Sequence, residues 1–233
     1  MLKKIFLWWK ERRFLNLKKK SVKEVFTEVY KKNTWGGEKG TFYSGAGTHN
    51  PNTLIYISRI ADFIKENNIR QVVEIGCGDF TISKKITEQV DVEYTGVDVV
   101  SELVTYLDEN YKNEKTRFCV LNAADDKLPD GNLVIIRQVL QHLSNGQIQK
   151  ILSKLGKYKF ALITEHVPIT PDVEFNLDKI QGPHIRMRVN SGVFIDKPPF
   201  NCKNVSVLFE YREDDPVKKK LVPAVMRTYL MRN

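Results

Sequence analysis

The segment Val72-Val-Glu-Ile-Gly-Cys-Gly-Asp-Phe80 constrains the fold more than any other. An apolar run ends in Gly-x-Gly and passes straight into a helix-forming stretch. Without Cβ atoms, Gly76 and Gly78 let the backbone turn sharply and a ligand lie against it. The helix that follows begins with N–H groups that have no partner inside the helix. The same alternation continues along the chain. Period and composition predict strands over 71–76, 92–98, 117–121, 133–137 and 159–166, and helices over 52–67, 81–89, 101–111 and 145–155. Strands that alternate with helices in this way pair in parallel. Two last strands, over 205–211 and 221–230, are expected as an antiparallel pair closing one sheet edge. The fold class is therefore α/β: a doubly wound, Rossmann-like, seven-stranded and mostly parallel sheet with helices on both faces.

The formal charge of +9 is unevenly placed. Residues 1–32 hold eleven Lys and Arg against three Glu, which leaves the remaining chain nearly neutral. A nucleic-acid enzyme spreads basic charge over the face that meets phosphates, so no nucleic-acid partner is expected. The longest apolar run of the N-terminal arm, Ile5 to Trp9, is far shorter than the ~20 residues that span a bilayer. Leu2, Ile5, Phe6 and Trp9 follow helical spacing opposite lysines and arginines. Two readings stay open: an interfacial helix on an anionic membrane surface through residues 1–20, or a stripe packed on the protein or a second copy. Cys77, Cys119 and Cys202 are far apart, which suits a reducing, cytoplasmic setting and no structural metal.

Carboxylates and small residues stand at the strand ends. Glu74 precedes the glycines, and Asp98 ends the second strand in Tyr94-Thr-Gly-Val-Asp98, placed to accept both hydroxyls of a ribose. Asn122-Ala-Ala-Asp125 follows the third strand, and Leu133-Val-Ile-Ile-Arg-Gln-Val-Leu-Gln-His-Leu143 contains the fourth. A dinucleotide fingerprint would want a third glycine where this chain has Thr81. In this order the segments resemble class I S-adenosylmethionine-dependent methyltransferases over roughly residues 69–167. Val29-Tyr-x-x-Asn-x-Trp-Gly36, Ser44-Gly-Ala-Gly-Thr48, Arg137-x-Val-Leu-x-His-Leu-Ser144 and Pro199-Phe-Asn201 are similar, more narrowly, to bacterial methyltransferases of surface-polysaccharide and sugar modification. Gln138 stands where that group usually carries Asp.

The resemblance implies S-adenosylmethionine as cofactor, held by Glu74, Gly76, Cys77, Gly78, Asp98, Ala124, Asp125, Arg137 and Gln138. It also divides the chain into residues 1–50, a basic arm and cofactor-covering loop, and 51–233, the catalytic domain, with 168–201 as an excursion covering the acceptor. Methyl transfer to a hydroxyl needs a base beside the methyl. His142 and His166 end adjacent strands and are the candidates, with Glu165 or Asp79 behind them. His49 lies in a flexible loop. Arg186, Arg188 and His184 of the excursion are expected to bind the acceptor, with Lys197 a further cation for an anionic one. A metal site from Glu165, His166 and Asn190 is weighed and not expected. The expected reaction is O-methylation of a sugar or capsule component, or of its phosphorylated or nucleotide-linked precursor, by a monomer or homodimer. The alternatives are a nucleic-acid or protein methyltransferase, and an NAD-dependent nucleotide-sugar enzyme.

Overall fold

The structure, a computed structural model, describes residues 17–212 and 223–233. The amphipathic stripe at residues 2–9 lies outside the described residues. So does the start of the last expected strand. Five strands run parallel at the centre: β1 (Gln71–Ile75), β2 (Glu93–Asp98), β3 (Thr116–Val120), β4 (Leu133–Arg137) and β5 (Phe160–Pro168). The first four pair in the order β3-β2-β1-β4, and β5 lies beyond β4. Val72, Val73, Leu133, Ile135, Ile136, Leu162 and Ile163 are all buried. Strands covered on both faces read as continuous aliphatic runs, which is what these residues make.

The sheet direction reverses after β5. Among the short pieces of residues 168–201, Glu174–Phe175 (β6) pairs with Ser191–Gly192 (β7) in a separate two-stranded ribbon. The chain then returns as β8 (Val205–Tyr211) and β9 (Ala224–Arg232). β9 is antiparallel to both β5 and β8 and completes the seven-stranded sheet. This is the expected antiparallel edge.

Helices flank the sheet: α1 (Val22–Lys31), α2 (Thr53–Glu66), α3 (Thr81–Thr87), α4 (Ser101–Tyr111) and α5 (Asn145–Leu152). α1 and α5 each open with a capping box. Ser21 pairs reciprocally with Glu24, and Ser144 with Gln147, so orphan N–H groups at both starts are satisfied. The helix expected over 145–155 ends at Leu152 and gives way to a 3₁₀ turn at Leu155–Lys157. α2 buries Tyr56, Ile57, Ile60, Phe63 and Ile64 along one stripe.

The order of β1 and β4 matters for the site. The chain winds outward from β1 in both directions, so the loops after β1 and β4 part from each other at the sheet's carboxyl edge. Open α/β sheets bind ligands in the crevice that this divergence leaves.

Candidate active site

A crevice of about 520 Å³ opens at that point. One end is walled by Glu74, Gly76, Cys77, Gly78, Asp98, Val99 and the stretch Leu121–Ala124, and the other by Gln138, Gln141, His142, His166, His184 and Arg188. α1 and the loop Ser44–Thr48 roof it with Phe26, Tyr30, Trp35 and the glycines 45 and 47.

The turn after β1 is built from left-handed residues. Gly76, Gly78 and Phe80 have φ of +70°, +55° and +64°. A Cβ on Gly76 would lie 2.4 Å from Val139 Cγ2, and one on Gly78 would lie 2.5 Å from Ser44 Oγ. Both positions therefore need glycine for space as well as for backbone angle. Phe80 has no such freedom. Its ring is gripped by Tyr94, Phe118 and Tyr111, at 5.2, 5.0 and 5.5 Å between centroids. The N–H groups of Gly76 and Cys77 both donate to Val97 O, which binds the turn to the end of β2.

The two acidic strand ends differ in their partners. Asp98 accepts the N–H of Val100 at 3.0 Å and of Gly78 at 3.3 Å. Burial nevertheless pushes its carboxyl above the ordinary range. Glu74 accepts hydroxyl hydrogens from Ser83 and Tyr94, and burial pushes it up to about 7. Cys77 is buried in the wall, and burial raises its thiol. Asp98 faces the crevice with lone pairs to offer a diol. Asp98→Ala is expected to weaken S-adenosylhomocysteine binding by about 1.5–3 kcal/mol, the range for hydrogen bonds to a charged group. Calorimetry against wild type measures it, and an unchanged Kd would remove Asp98 from the site.

The roof is tied to the floor. Ser44 N–H donates to Asp79 Oδ2 at 2.8 Å, and Asp79 N–H donates back to Ser44 Oγ at 2.8 Å. Tyr30 OH joins Ser44 Oγ at 3.0 Å, and the other Asp79 oxygen accepts from Thr81 N–H at the start of α3. Arg137 Nη2 donates to Gly47 O at 2.9 Å while its guanidinium lies 5.1 Å from the Tyr56 ring. Gln138 packs on Gly47, where a Cβ would meet its Oε1 at 2.6 Å. Arg137 and Gln138 thus both reach the crevice wall and hold its cover.

Several sequence expectations need correction. Asp125 is not in the crevice wall. Its exposed carboxylate pairs with Lys150 and accepts from Asn122, while Asn122, Ala123 and Ala124 face inward. Arg186 is buried and all its bonds go to the protein's own carbonyl and amide oxygens, so it is not an acceptor ligand. His184 and Arg188, on either side of it, do reach the crevice. His49 lies outside, stacked on Tyr43 at 4.8 Å. Lys197 pairs with Asp196 and covers the Phe175 ring, away from the crevice. Glu165 accepts three backbone N–H groups and does not face the crevice, and Asn190 is bonded to Thr170 and Asp172. Among the described residues no group of three or more His, Cys, Asp and Glu is gathered as metal ligands.

The two histidines also differ. His142 packs against Trp35 and Phe26, at 5.2 and 6.2 Å between centroids, and its Nδ1 meets Gly182 O at 3.2 Å. A carbonyl only accepts, so the proton sits on Nδ1 and Nε2 keeps its lone pair. Burial, then the nearby charge of Lys179, lowers its pKa to about 3. His166 lines the crevice from β5. Sequence reasoning gave no site role to Trp35, Phe26 and Tyr30. The motif Val29-Tyr-x-x-Asn-x-Trp-Gly36 was the signal for Tyr30 and Trp35, and the capping-box pair Ser21 and Glu24 marked the start of the helix that carries Phe26.

His142 carries a pH signature. Its folded pKa lies below the unfolded 6.5, so its contribution is complete above 6.5 and is lost as pH falls toward about 3. The raised Glu74 and Glu165 act in the opposite sense, stabilising at low pH and losing this as pH rises through about 7. Subtracting His142→Asn from wild type isolates the histidine. Urea unfolding should show the difference shrinking by about 1.4 kcal/mol per pH unit below 6.5. A pH-independent difference would contradict the buried neutral state.

Comparisons with known proteins agree with this geometry. Residues 72–158, little over a third of the chain, match the profile of a methyltransferase domain family. No curated protein matches in sequence. Human N-acetylserotonin methyltransferase in complex with SAM superposes with a TM-score of 0.51 at 12% identity, over 92% of this chain and 60% of that one. This chain therefore spans less than two thirds of that protein. Burkholderia thailandensis 1,6-didemethyltoxoflavin-N1-methyltransferase gives 0.58 at 13% identity, over 91% and 88% of the two chains. The N-terminal domain of EvdMO1, crystallised in the presence of SAH and D-fucose, gives 0.53 at 12%, over 89% and 95%. At such identities the superpositions establish the fold. Residues 72–158 thus match a methyltransferase domain and carry the Gly-x-Gly turn, the acidic second strand end and the small-residue wall of one crevice.

Proposed function

We propose that the chain methylates a hydroxyl of a sugar, either a surface-polysaccharide component or its phosphorylated or nucleotide-linked precursor. The observation that carries this reading is the far end of the crevice. Trp35 offers an indole fixed by its Nε1–H bond to Pro183 O at 3.2 Å, with Gln138, His142, His166, His184 and Arg188 around it. An apolar ring beside several hydrogen-bonding groups suits the apolar face and hydroxyl edge of a pyranose. Arg188 and His184, at the exposed rim, suit a phosphate beyond the ring. One fold neighbour was crystallised with bound 1,6-didemethyltoxoflavin and another in the presence of D-fucose. The acceptor is therefore read from this crevice and not from them.

When bound, the cofactor supplies a sulfonium methyl as electrophile. Gly76, Gly78 and Asp98 orient it, the roof excludes water, and the far wall aligns the acceptor hydroxyl and takes its proton. The test is transfer of label from methyl-labelled S-adenosylmethionine to free hexoses, hexose phosphates and nucleoside-diphosphate hexoses. Phosphorylated or nucleotide-linked sugars should accept label, with Arg188→Ala raising KM about tenfold for them, some 1.4 kcal/mol. Label confined to amines, with every sugar silent, would reject the reading.

A further inference from the structure

Glu165 and Arg186 are buried and absent from the crevice wall, yet both meet the turn 139–143. The Glu165 carboxylate accepts the N–H groups of Val139, Leu140 and Gln141 at 3.1, 2.8 and 3.1 Å. Arg186 Nη1 donates to the carbonyls of Leu140 and Gln141 at 3.2 and 3.3 Å, and Nη2 to that of Leu143 at 2.9 Å. Its remaining donors reach Asn145 Oδ1 and Leu177 O, both at 2.9 Å. A guanidinium has five N–H groups in a fixed fork, and all are engaged. Lysine, with three donors on one atom, cannot reproduce this.

The carboxyl group thus holds the N–H end of the turn and the guanidinium its carbonyl end, the placement that complements aligned peptide dipoles. The crevice side of the same turn presents Gln138, Gln141 and His142. Gln138 sits at φ +56°, a strained angle for its side chain. Its N–H donates to Thr164 O, next to Glu165 in β5. Arg186 lies between His184 and Arg188 in sequence, so its bonds also tie the rim of the acceptor end to the turn. Gly182 completes that tie, donating its N–H to His142 O at 2.9 Å and accepting from His142 Nδ1.

We propose that Glu165 and Arg186 are positioning residues for methyl transfer, a buried carboxyl group and a buried guanidinium that hold Gln138 and His142 at the reacting centre and join them to the acceptor rim. This rests on the methyltransferase reading but not on the acceptor being a sugar. A buried carboxylate capping one turn and a buried guanidinium capping its other end leave the turn one arrangement, and methyl transfer tolerates little misplacement.

The test uses full-length Glu165→Gln and Arg186→Lys, saturated with S-adenosylhomocysteine and labelled at histidine. Only four histidines are present, so His142→Asn assigns the signal. Wild type should show a single neutral Nδ1–H tautomer for His142. Both variants should show a mixed or shifted tautomer, with S-adenosylhomocysteine Kd within about threefold of wild type. Their kcat on whichever panel sugar accepts label should fall about 10²-fold, with the KM for S-adenosylmethionine held. Two results would overturn the proposal. One is a wild-type His142 signal with unchanged kcat. The other is cofactor affinity lost in step with thermal stability, which would make the pair a folding element alone. If even wild type labels no sugar, the acceptor assignment has failed, and the histidine spectra decide the clamp by themselves.

Discussion

With His166 replaced by alanine, kcat is expected to fall by about 10²–10⁴-fold, the usual worth of a general base, while S-adenosylhomocysteine binds as before. A sugar hydroxyl attacks a sulfonium methyl well only if its proton departs during the attack. His142 is poorly made for that task, because burial holds its pKa at about 3. Its Nε2 already meets the Gln141 side-chain amide at 3.5 Å, so the ring serves as part of the wall. His166, on β5 one residue beyond Glu165, reaches the same crevice. His142→Ala should therefore cost less in kcat than His166→Ala. The wild-type rate should decline as pH is lowered and the base gains the proton it has to accept. A pH–rate profile of both variants with the labelled sugar decides it. If His166→Ala retains near-full kcat, the proton leaves by water and the enzyme works by alignment.

The second large effect concerns the cofactor turn. Gly76→Ala should destabilise the fold and abolish measurable cofactor binding. The left-handed angle costs a non-glycine residue about 1–3 kcal/mol. Forcing a methyl against a packed neighbour costs about 1–3 more. The neighbour is Val139 at 2.4 Å, on the turn held by Glu165 and Arg186, and it has little room to retreat. Gly146→Ala is the control: no atom lies within 4 Å of its added Cβ, so stability should hold or rise slightly. Urea unfolding and calorimetry on both variants provide the readout. A Gly76→Ala protein as stable and as tightly binding as wild type would mean that the turn is looser than its geometry states.

The sheet was legible because its residues leave few choices. Runs such as Leu133–Arg137 and Val205–Tyr211 are apolar, β-rich and bounded by polar residues, and their ends coincide with the expected ones. The crevice wall at the ends of β1 and β2 was legible for a related reason. Gly76, Gly78 and Asp98 act through backbone angle and charge at fixed places along the chain. The acceptor end follows from tertiary packing, which spacing does not encode. Arg186 reads like any loop arginine until three carbonyls from 43–46 residues earlier converge on it. Asp125 reads like a crevice carboxylate, yet Lys150, on a helix 25 residues later, holds it at the surface. α1 was obscured by the lysines around it, which drew attention to charge. Its face is buried at Val25, Phe26, Val29 and Tyr30, and the last three join the core.

The reciprocal bonds between Ser44 and Asp79 have a kinetic consequence. The loop that carries Ser44 lies over the Gly76–Gly78 end of the crevice, and Tyr30 adds a third link from α1. Lifting that loop from the turn after β1 breaks all three links together, a cost set by loop hydrogen bonds and indifferent to any acceptor's reactivity. If this opening limits turnover, kcat should fall as solvent viscosity rises.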